Sequence, residues 1–279
     1  MANLTSRDQE TWISFFGEAY VRFSQYILTP ERTGVEVVGI QRLLRLAPGA
    51  RILDLGCGQG RIAIPLAKAG YRVVGLDRSS VLLRHARRAA EEAGVSVTFV
   101  EGDARDMTFD AEFDAVINVG TALGYVADEA DDARMLNRAA RSLKPGGVLL
   151  IEADNRDRKV RMLLPRTWER MGDVIVRSEA SFAPGPGRWH NELCWQEAGR
   201  EHRAVLDFRV YAPSELRRMV TDAGLAVQAL YGGWNDEPLT LDSPRLVLLA
   251  TRLEHGAGPD RARIPAHRGG AELALYELP

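Results

Sequence analysis

Apolar and polar residues recur along the chain with periods that change from region to region, and these periods predict its elements. In residues 7–28 the apolar side chains recur at spacings of three and four, which predicts an amphipathic helix. Thr29 and Pro30 follow as an N-cap and a first helical residue, so a second helix is predicted to run to about Leu46.

From residue 50 to residue 154, short apolar runs typical of buried strands alternate with helical patterns. A serine precedes one of these helices and a glycine ends it, while another helix is predicted over residues 128–143. Strands that alternate with helices predict a parallel sheet covered by helices on both faces. The five strand runs are ARILDL, YRVVGLD, SVTFVEGD, FDAVINVG and VLLIEAD.

The spacing of apolar and polar residues changes after Asp154. Two runs with alternating polar and apolar residues, VIVRSEASF and RWHNELCWQE, flank the turn sequence PGPG, which predicts antiparallel strands. The helical pattern PSELRRMVTDAG and the strand patterns LAVQALYG and RLVLLATR follow. We therefore expect an insertion that interrupts the sheet before its last two strands.

Composition narrows the class of protein. The 279 residues are 46% hydrophobic and carry a formal net charge of −2, which gives no electrostatic reason to expect nucleic acid or an anionic membrane as a partner. No apolar run approaches the roughly 20 residues of a membrane span, and the N-terminus lacks a signal-peptide pattern. Two cysteines and five histidines without ligand spacing favour neither a disulfide framework nor a metal site. The expectation is a cytoplasmic protein without a bound metal.

The candidate chemistry lies in the stretch LDLGCGQG, between a predicted strand and a predicted helix. Gly56, Gly58 and Gly60 allow a ligand to approach the main chain closely. Their spacing differs from the G-x-G-x-x-G pattern of dinucleotide sites. Asp54, two residues earlier, would repel a pyrophosphate but suits a ligand with an amine or a sulfonium.

This acid-x-G-x-G-x-G pattern resembles the first motif of the class I S-adenosylmethionine-dependent methyltransferases. The resemblance covers about residues 35–252 and also rests on VVGLD, VEGDARDM, FDAVINVGTALGY, LKPGG and LYGG…SPRLVLLATR. It implies an α/β fold with a doubly wound seven-stranded sheet, strand order 3-2-1-4-5-7-6 and the last strand antiparallel. An N-terminal helical cap and an inserted β cap would cover that sheet.

The resemblance also implies that S-adenosylmethionine is the cofactor, S-adenosylhomocysteine the product, and that no metal is needed. Asp77 matches the family's acid that binds both ribose hydroxyls, and Asp103 matches the position beside the adenine, although Asp106 is an alternative. The implied cofactor-binding residues are Tyr20, Arg32, Asp54, Gly56, Cys57, Gly58, Asp77, Arg78, Asp103, Ala104, Asn118, Val119 and Gly120.

Within this class the chain is similar to a bacterial set whose caps close over a small-molecule pocket. That similarity predicts an N-terminal helical cap over 1–46, a Rossmann-like cofactor core over 47–155 and an inserted substrate cap over 156–208. Residues 209–252 would complete the sheet, and 253–279 would form a tail that is either packed or disordered.

The predicted function is methyl transfer to a small-molecule acceptor at oxygen, nitrogen or carbon, mainly by proximity and alignment. His190 and Tyr211 are the candidate catalytic residues, with Trp168, Trp195, Arg209 and again Tyr211 as substrate-binding residues. One alternative is an S-adenosylmethionine-binding protein that uses the pocket for a non-methylating reaction. Another is a protein or nucleic-acid methyltransferase, which the absence of a D/N-P-P-Y/F motif after the fourth strand disfavours. We expect a monomer or homodimer.

Overall fold

The structure is a computed structural model that describes residues 15–120 and 122–253. The first part of the predicted N-terminal helix and the predicted tail from residue 254 lie outside these residues. The elements, in chain order, are α1 Glu18–Ile27, α2 Pro30–Leu44, β1 Arg51–Leu55, α3 Ala63–Lys68, β2 Arg72–Asp77, α4 Ser80–Glu92, β3 Thr98–Glu101, β4 Phe113–Asn118, α5 Glu129–Ser142, β5 Leu143–Asp154, α6 Arg156–Arg161, β6 Arg166–Met171, β7 Val174–Ala183, β8 Arg188–Glu197, β9 Arg200–Arg209, α7 Pro213–Asp222, β10 Leu225–Tyr231 and β11 Arg245–Arg252.

The predicted caps fix where the helices begin. Thr29 Oγ1 accepts a hydrogen bond from the backbone N–H of Arg32 at 3.3 Å, and Pro30 occupies the first turn of α2. Ser79 caps α4 in the same way, by accepting from the N–H of Leu82. Helix α2 ends at Leu44, two residues earlier than the pattern predicted.

The main sheet has seven strands in the order β10-β11-β5-β4-β1-β2-β3, with β11 antiparallel to both of its neighbours. With β10 and β11 as the sixth and seventh core strands, the predicted order 3-2-1-4-5-7-6 is confirmed. Strand β1 is apolar on both faces: Ile52 packs in a cluster with Ile40 of α2, and Leu53 in a cluster with Leu136 of α5. The helices of the two layers therefore bury opposite faces of the same strands.

A second, antiparallel sheet of four strands, β6-β7-β8-β9, is inserted between β5 and α7. The pattern predicted β7, β8 and the turn between them. It missed β9, and it missed α6 and β6, whose short, arginine-rich segments show no clear apolar period. The start of the insertion is pinned to the core, since Asn155 Nδ2 donates to the carbonyls of Thr240 at 3.0 Å and Ser243 at 2.9 Å.

Helix α1 contacts both the second sheet and α4. The ring of Phe23 lies edge-on to Trp195 of β8, with centroids 5.1 Å apart. Arg22 forms ion pairs with Asp173 and Glu197 of the second sheet. Across the described ranges, no helix is both long enough and apolar enough to span a membrane.

Candidate active site

A cavity of about 380 Å³ lies at the carboxyl ends of the parallel strands, where open α/β sheets bind ligands. Its lower wall is the loop after β1 together with the ends of β2, β3, β4 and β5. Residues 15–28, which include α1, cover it from one side, and the second sheet covers it from another.

The glycine loop forms the floor of this cavity. Gly56 and Gly58 have φ angles of +70° and +53°, in the left-handed region that disfavours side chains. A Cβ atom at Gly56 would also lie only 2.6 Å from Cβ of Ala122. Glycine at this position thus keeps the backbone exposed to the cavity.

Asp77, at the end of β2, ties the glycine loop to α4. Its Oδ2 accepts from the N–H of Gly58 and its Oδ1 from the N–H of Ser79, both at 2.8 Å. Burial raises the pKa of Asp77 despite these two bonds. Each carboxylate oxygen has further acceptor capacity for a ligand in the cavity.

Asp54 lines the cavity with only 2% of its surface exposed. Its Oδ2 atom has no hydrogen-bond partner within residues 15–120 and 122–253. Burial raises the pKa of this carboxyl group to about 7, although the charge of Arg61 opposes that shift. A buried carboxyl oxygen without a partner is costly, so a cationic group in the cavity fits this atom.

A cluster of two arginines around a buried acid lies beside Asp54. Glu36 is 2% exposed; it accepts from Arg32 Nε at 2.7 Å and pairs with Arg61. Arg32 and Arg61 both line the cavity. The sequence analysis did not select Arg61, although its position directly after the last loop glycine was a usable signal.

The cavity is also lined by Asp103 and Ala104, which follow β3, and by Tyr20, Cys57 and Arg78. The Asp103 carboxylate accepts from Arg105 Nε at 2.9 Å and Nη2 at 2.6 Å. Burial acts to raise the pKa of Asp103, but these bonds from Arg105 prevail and lower it. The carboxylate is therefore already occupied by a guanidinium, while the alternative Asp106 does not line the cavity.

Of the three predicted residues at the end of β4 and just after it, Val119 and Gly120 line the cavity and Asn118 does not. Asn118 is buried, and its Nδ2 donates to the carbonyl of Leu55 at 2.9 Å, which fastens the ends of β4 and β1 together. Asn118 therefore supports the cavity wall from behind.

The second sheet and α6 contribute a wall that combines aromatic and charged groups. Lys159 Nζ lies 2.9 Å from Asp154 Oδ2 and 4.4 Å from the ring centroid of Trp189. Phe208 packs against Tyr125, with ring centroids 5.1 Å apart. All five residues line the cavity.

The structure does not bring His190 into the cavity. Trp189 and Asn191 line it, and side chains alternate along a strand, so the His190 side chain between them lies on the opposite face of β8. There it is 46% exposed, and its Nδ1 lies 3.1 Å from Asp207 Oδ2. This placement argues against the predicted role as catalytic base.

Tyr211 and Arg209 also lie outside the cavity wall. Tyr211 is buried, and its hydroxyl donates to Asp132 Oδ2 at 2.6 Å. Arg209 Nη1 pairs with Glu129 at 2.7 Å. Asp132 does line the cavity; it also accepts from the N–H of Gly124, and burial raises its pKa to about 6. Tyr211 thus supports a cavity residue rather than facing a ligand.

Neither predicted substrate-binding tryptophan reaches the cavity. Trp168, on β6, is 61% exposed. Trp195 is buried against Phe23 and stacks on His202 at a centroid distance of 5.3 Å. The tryptophan in the cavity is Trp189, whose ring packs in the cluster with Phe208.

Comparisons with known proteins agree with this geometry. Residues 52–147 match the methyltransferase domain family. The chain is 29% identical to the cypemycin N-terminal methyltransferase of a Streptomyces species, over 73% of this chain and 84% of that protein.

Two solved structures share the fold. The CcbJ methyltransferase from Streptomyces caelestis superposes with a TM-score of 0.71 at 20% identity, over 81% of this chain and 91% of the other. CalS10 from Micromonospora echinaspora, an amino pentose methyltransferase solved with bound S-adenosylmethionine, gives 0.63 at 23% identity, over 82% and 95%. Its strand order, its glycine loop and its domain match all support a similarity of this chain to the class I S-adenosylmethionine-dependent methyltransferases.

Proposed function

We propose that this protein transfers the methyl group of S-adenosylmethionine to a small-molecule acceptor with a nucleophilic oxygen, nitrogen or carbon. One observation carries the proposal: the same cavity contains Asp54, whose Oδ2 atom has no partner among the described residues, the glycine loop, and the aromatic wall formed by Trp189 and Phe208. One part of the cavity suits the cofactor and the other an acceptor.

In the cofactor part, the residues present fit the charges of the ligand. Asp54 would hold the amino group, and Arg61 with Arg32 would hold the carboxylate of the methionine moiety. Asp77 would bind the ribose hydroxyls, and the residues after β3 would meet the adenine. The cofactor, when bound, supplies a methyl group already activated by a positively charged sulfur.

In the acceptor part, the chain's contribution is to position the acceptor and exclude water. Residues 15–28 and the second sheet both line the cavity, so an acceptor held against Trp189 would be oriented and partly shielded from water. Proximity and orientation of this kind can supply roughly 7–11 kcal/mol in favourable cases. A nitrogen acceptor occurs among similar proteins, since one solved structure with this fold is a sugar N-methyltransferase.

No metal is required by this mechanism. Over the part of the chain that the structure describes, no group of three or more His, Cys, Asp or Glu residues is arranged to hold a metal ion. We expect activity to be insensitive to a chelator, and this remains a prediction.

The test is incubation of the protein with a cell extract and methyl-labelled S-adenosylmethionine, followed by mass spectrometry. The expected result is a labelled product that appears with S-adenosylhomocysteine and is absent with the Asp77→Ala variant. Cofactor binding without any labelled product would instead support the non-methylating alternative. Failure to bind either form of the cofactor would refute both.

A further inference from the structure

The acceptor part of the cavity has an unusual distribution of charge. Asp154, at the end of β5, and Arg245 line this part, and Arg245 pairs both with Asp154 and with the fully buried Glu152, which does not line the cavity. Lys159 pairs with Asp154 as a second cation. The two acids and two bases balance, so this cluster is neutral before an acceptor binds.

Lys159 has N–H donors that the other members of this cluster do not use. An ammonium group has three N–H donors, and Asp154 Oδ2, at 2.9 Å, engages one of them. The Nζ atom lies over the rings of Trp189 at 4.4 Å and Phe208 at 5.5 Å. The chain's own cation therefore already occupies the cation-binding faces of these two rings.

Asn191 adds a second donor to the same wall. Ser178 Oγ donates to Asn191 Oδ1 at 2.6 Å, from the neighbouring strand β7. Since that bond uses the amide oxygen, the Nδ2 group is the part of Asn191 that can serve a ligand in the cavity. Lys159 and Asn191 thus present N–H donors beside apolar rings.

We propose that the acceptor carries an aromatic ring and an oxyanionic group, which Lys159 and Asn191 hold against Trp189 and Phe208. An alkylammonium acceptor would have to displace the Lys159 ammonium group from the ring faces of Trp189 and Phe208, or lie beside it as a further cation. An oxyanion meets the spare N–H donors of Lys159 instead. This inference rests on the proposed function, because it describes the acceptor of that reaction.

The test uses simple probes on the full-length protein saturated with S-adenosylhomocysteine. Benzoate and phenyl phosphate present a carboxylate and a phosphate on the same ring, and benzylamine presents a cation. Binding is followed by calorimetry and by quenching of tryptophan fluorescence. We expect one or both oxyanions to bind below about 10 mM and benzylamine to bind at least about tenfold more weakly.

The key variant is Lys159→Met, which keeps most of the side-chain length and removes the charge. It should weaken binding of the preferred oxyanion by about tenfold or more, and Lys159→Arg should restore part of it. The matched control is Lys144→Met, because Lys144, near the start of β5, pairs with Asp114 at 2.7 Å and does not line the cavity. The control should change binding less than about twofold.

Several outcomes would overturn the inference. They are no binding by either oxyanion, tighter binding by benzylamine, or a gain in benzylamine affinity in Lys159→Met, which would show that the lysine masks a cation site. Preference between benzoate and phenyl phosphate distinguishes carboxylate from phosphate acceptors. Binding of S-adenosylhomocysteine is measured separately beforehand, so failure of the proposed function is distinguishable from failure of the oxyanion site.

Discussion

The affinity for S-adenosylhomocysteine should depend on pH through Asp54. If the carboxylate form of Asp54 holds the amino group of the ligand, a group with a pKa of about 7 limits binding in mildly acidic solution. Such a group is ionised to about 9% at pH 6 and about 91% at pH 8. The affinity should therefore rise about tenfold across this range, or about 1.4 kcal/mol.

In the protein without ligand, Asp54 has the opposite effect on folding: the stability of the native state falls as the pH rises. Because the folded-state pKa of Asp54 lies above the usual aspartate value of 3.8, the native state binds the proton more tightly than the unfolded chain does. This group's cost to stability is fully present above about pH 7 and disappears as the pH falls toward 4. The ligand thus stabilises the form of Asp54 that folding disfavours.

The assay is calorimetry at pH 6, 7 and 8, in two buffers of different ionisation enthalpy, so that proton release on binding is counted directly. The wild type is compared with Asp54→Asn, which should bind weakly and lose most of the pH slope. Asp132→Asn is the matched control, because Asp132 lines the same cavity with a pKa of about 6. A flat profile in the wild type, or an equal slope in Asp54→Asn, would refute the reasoning.

Three further predictions follow from the site. Asp77→Ala should weaken S-adenosylhomocysteine binding more than tenfold by calorimetry, since charge-assisted hydrogen bonds contribute about 1.5–3 kcal/mol each. Asp110→Ala, at an exposed position, is the control. Equal affinities of Asp77→Ala and the wild type would mean that Asp77 only supports the loop. Gly56→Ala should lower stability in urea by about 1–2 kcal/mol from its φ of +70° alone, and more from the contact with Ala122, so an unchanged midpoint would contradict this. His190→Ala should leave methyl transfer within a few-fold of wild type because the ring faces away from the cavity; a hundredfold loss of kcat would restore it as a base.

The sheet and the cofactor part of the cavity were predictable because their signals are local. The apolar runs of β1, β2 and β4 and the loop glycines identify a strand, a turn and a helix within a few residues of chain. Parallel strands bring their carboxyl ends to one edge, which places Asp54, Asp77 and Gly120 together without knowledge of side-chain packing. The structure places these residues in one cavity.

The acceptor part was harder to predict because it depends on which face of the inserted strands is turned inward. In RWHNELCWQE the alternation of side chains along a strand places His190 on the face opposite to Trp189 and Asn191, and the sequence alone predicts this. What the sequence does not reveal is which of the two faces packs toward the main sheet, because that is decided by contacts between distant elements, such as Phe23 with Trp195. Arg209 and Tyr211 were likewise assigned to the cavity on a motif alone, whereas their partners Glu129 and Asp132 hold them behind it.

The two parts of the cavity come from different segments of the chain, because one of them is built largely from the insertion between β5 and α7. Helix α6 and the strands of the second sheet are one contiguous segment, fastened at its start by Asn155 and followed at its end by Tyr211. The cofactor residues lie almost entirely before it in the chain. If this segment holds the acceptor as proposed, we expect its exchange by recombination or directed evolution to alter the choice of acceptor and leave the cofactor-binding residues unchanged.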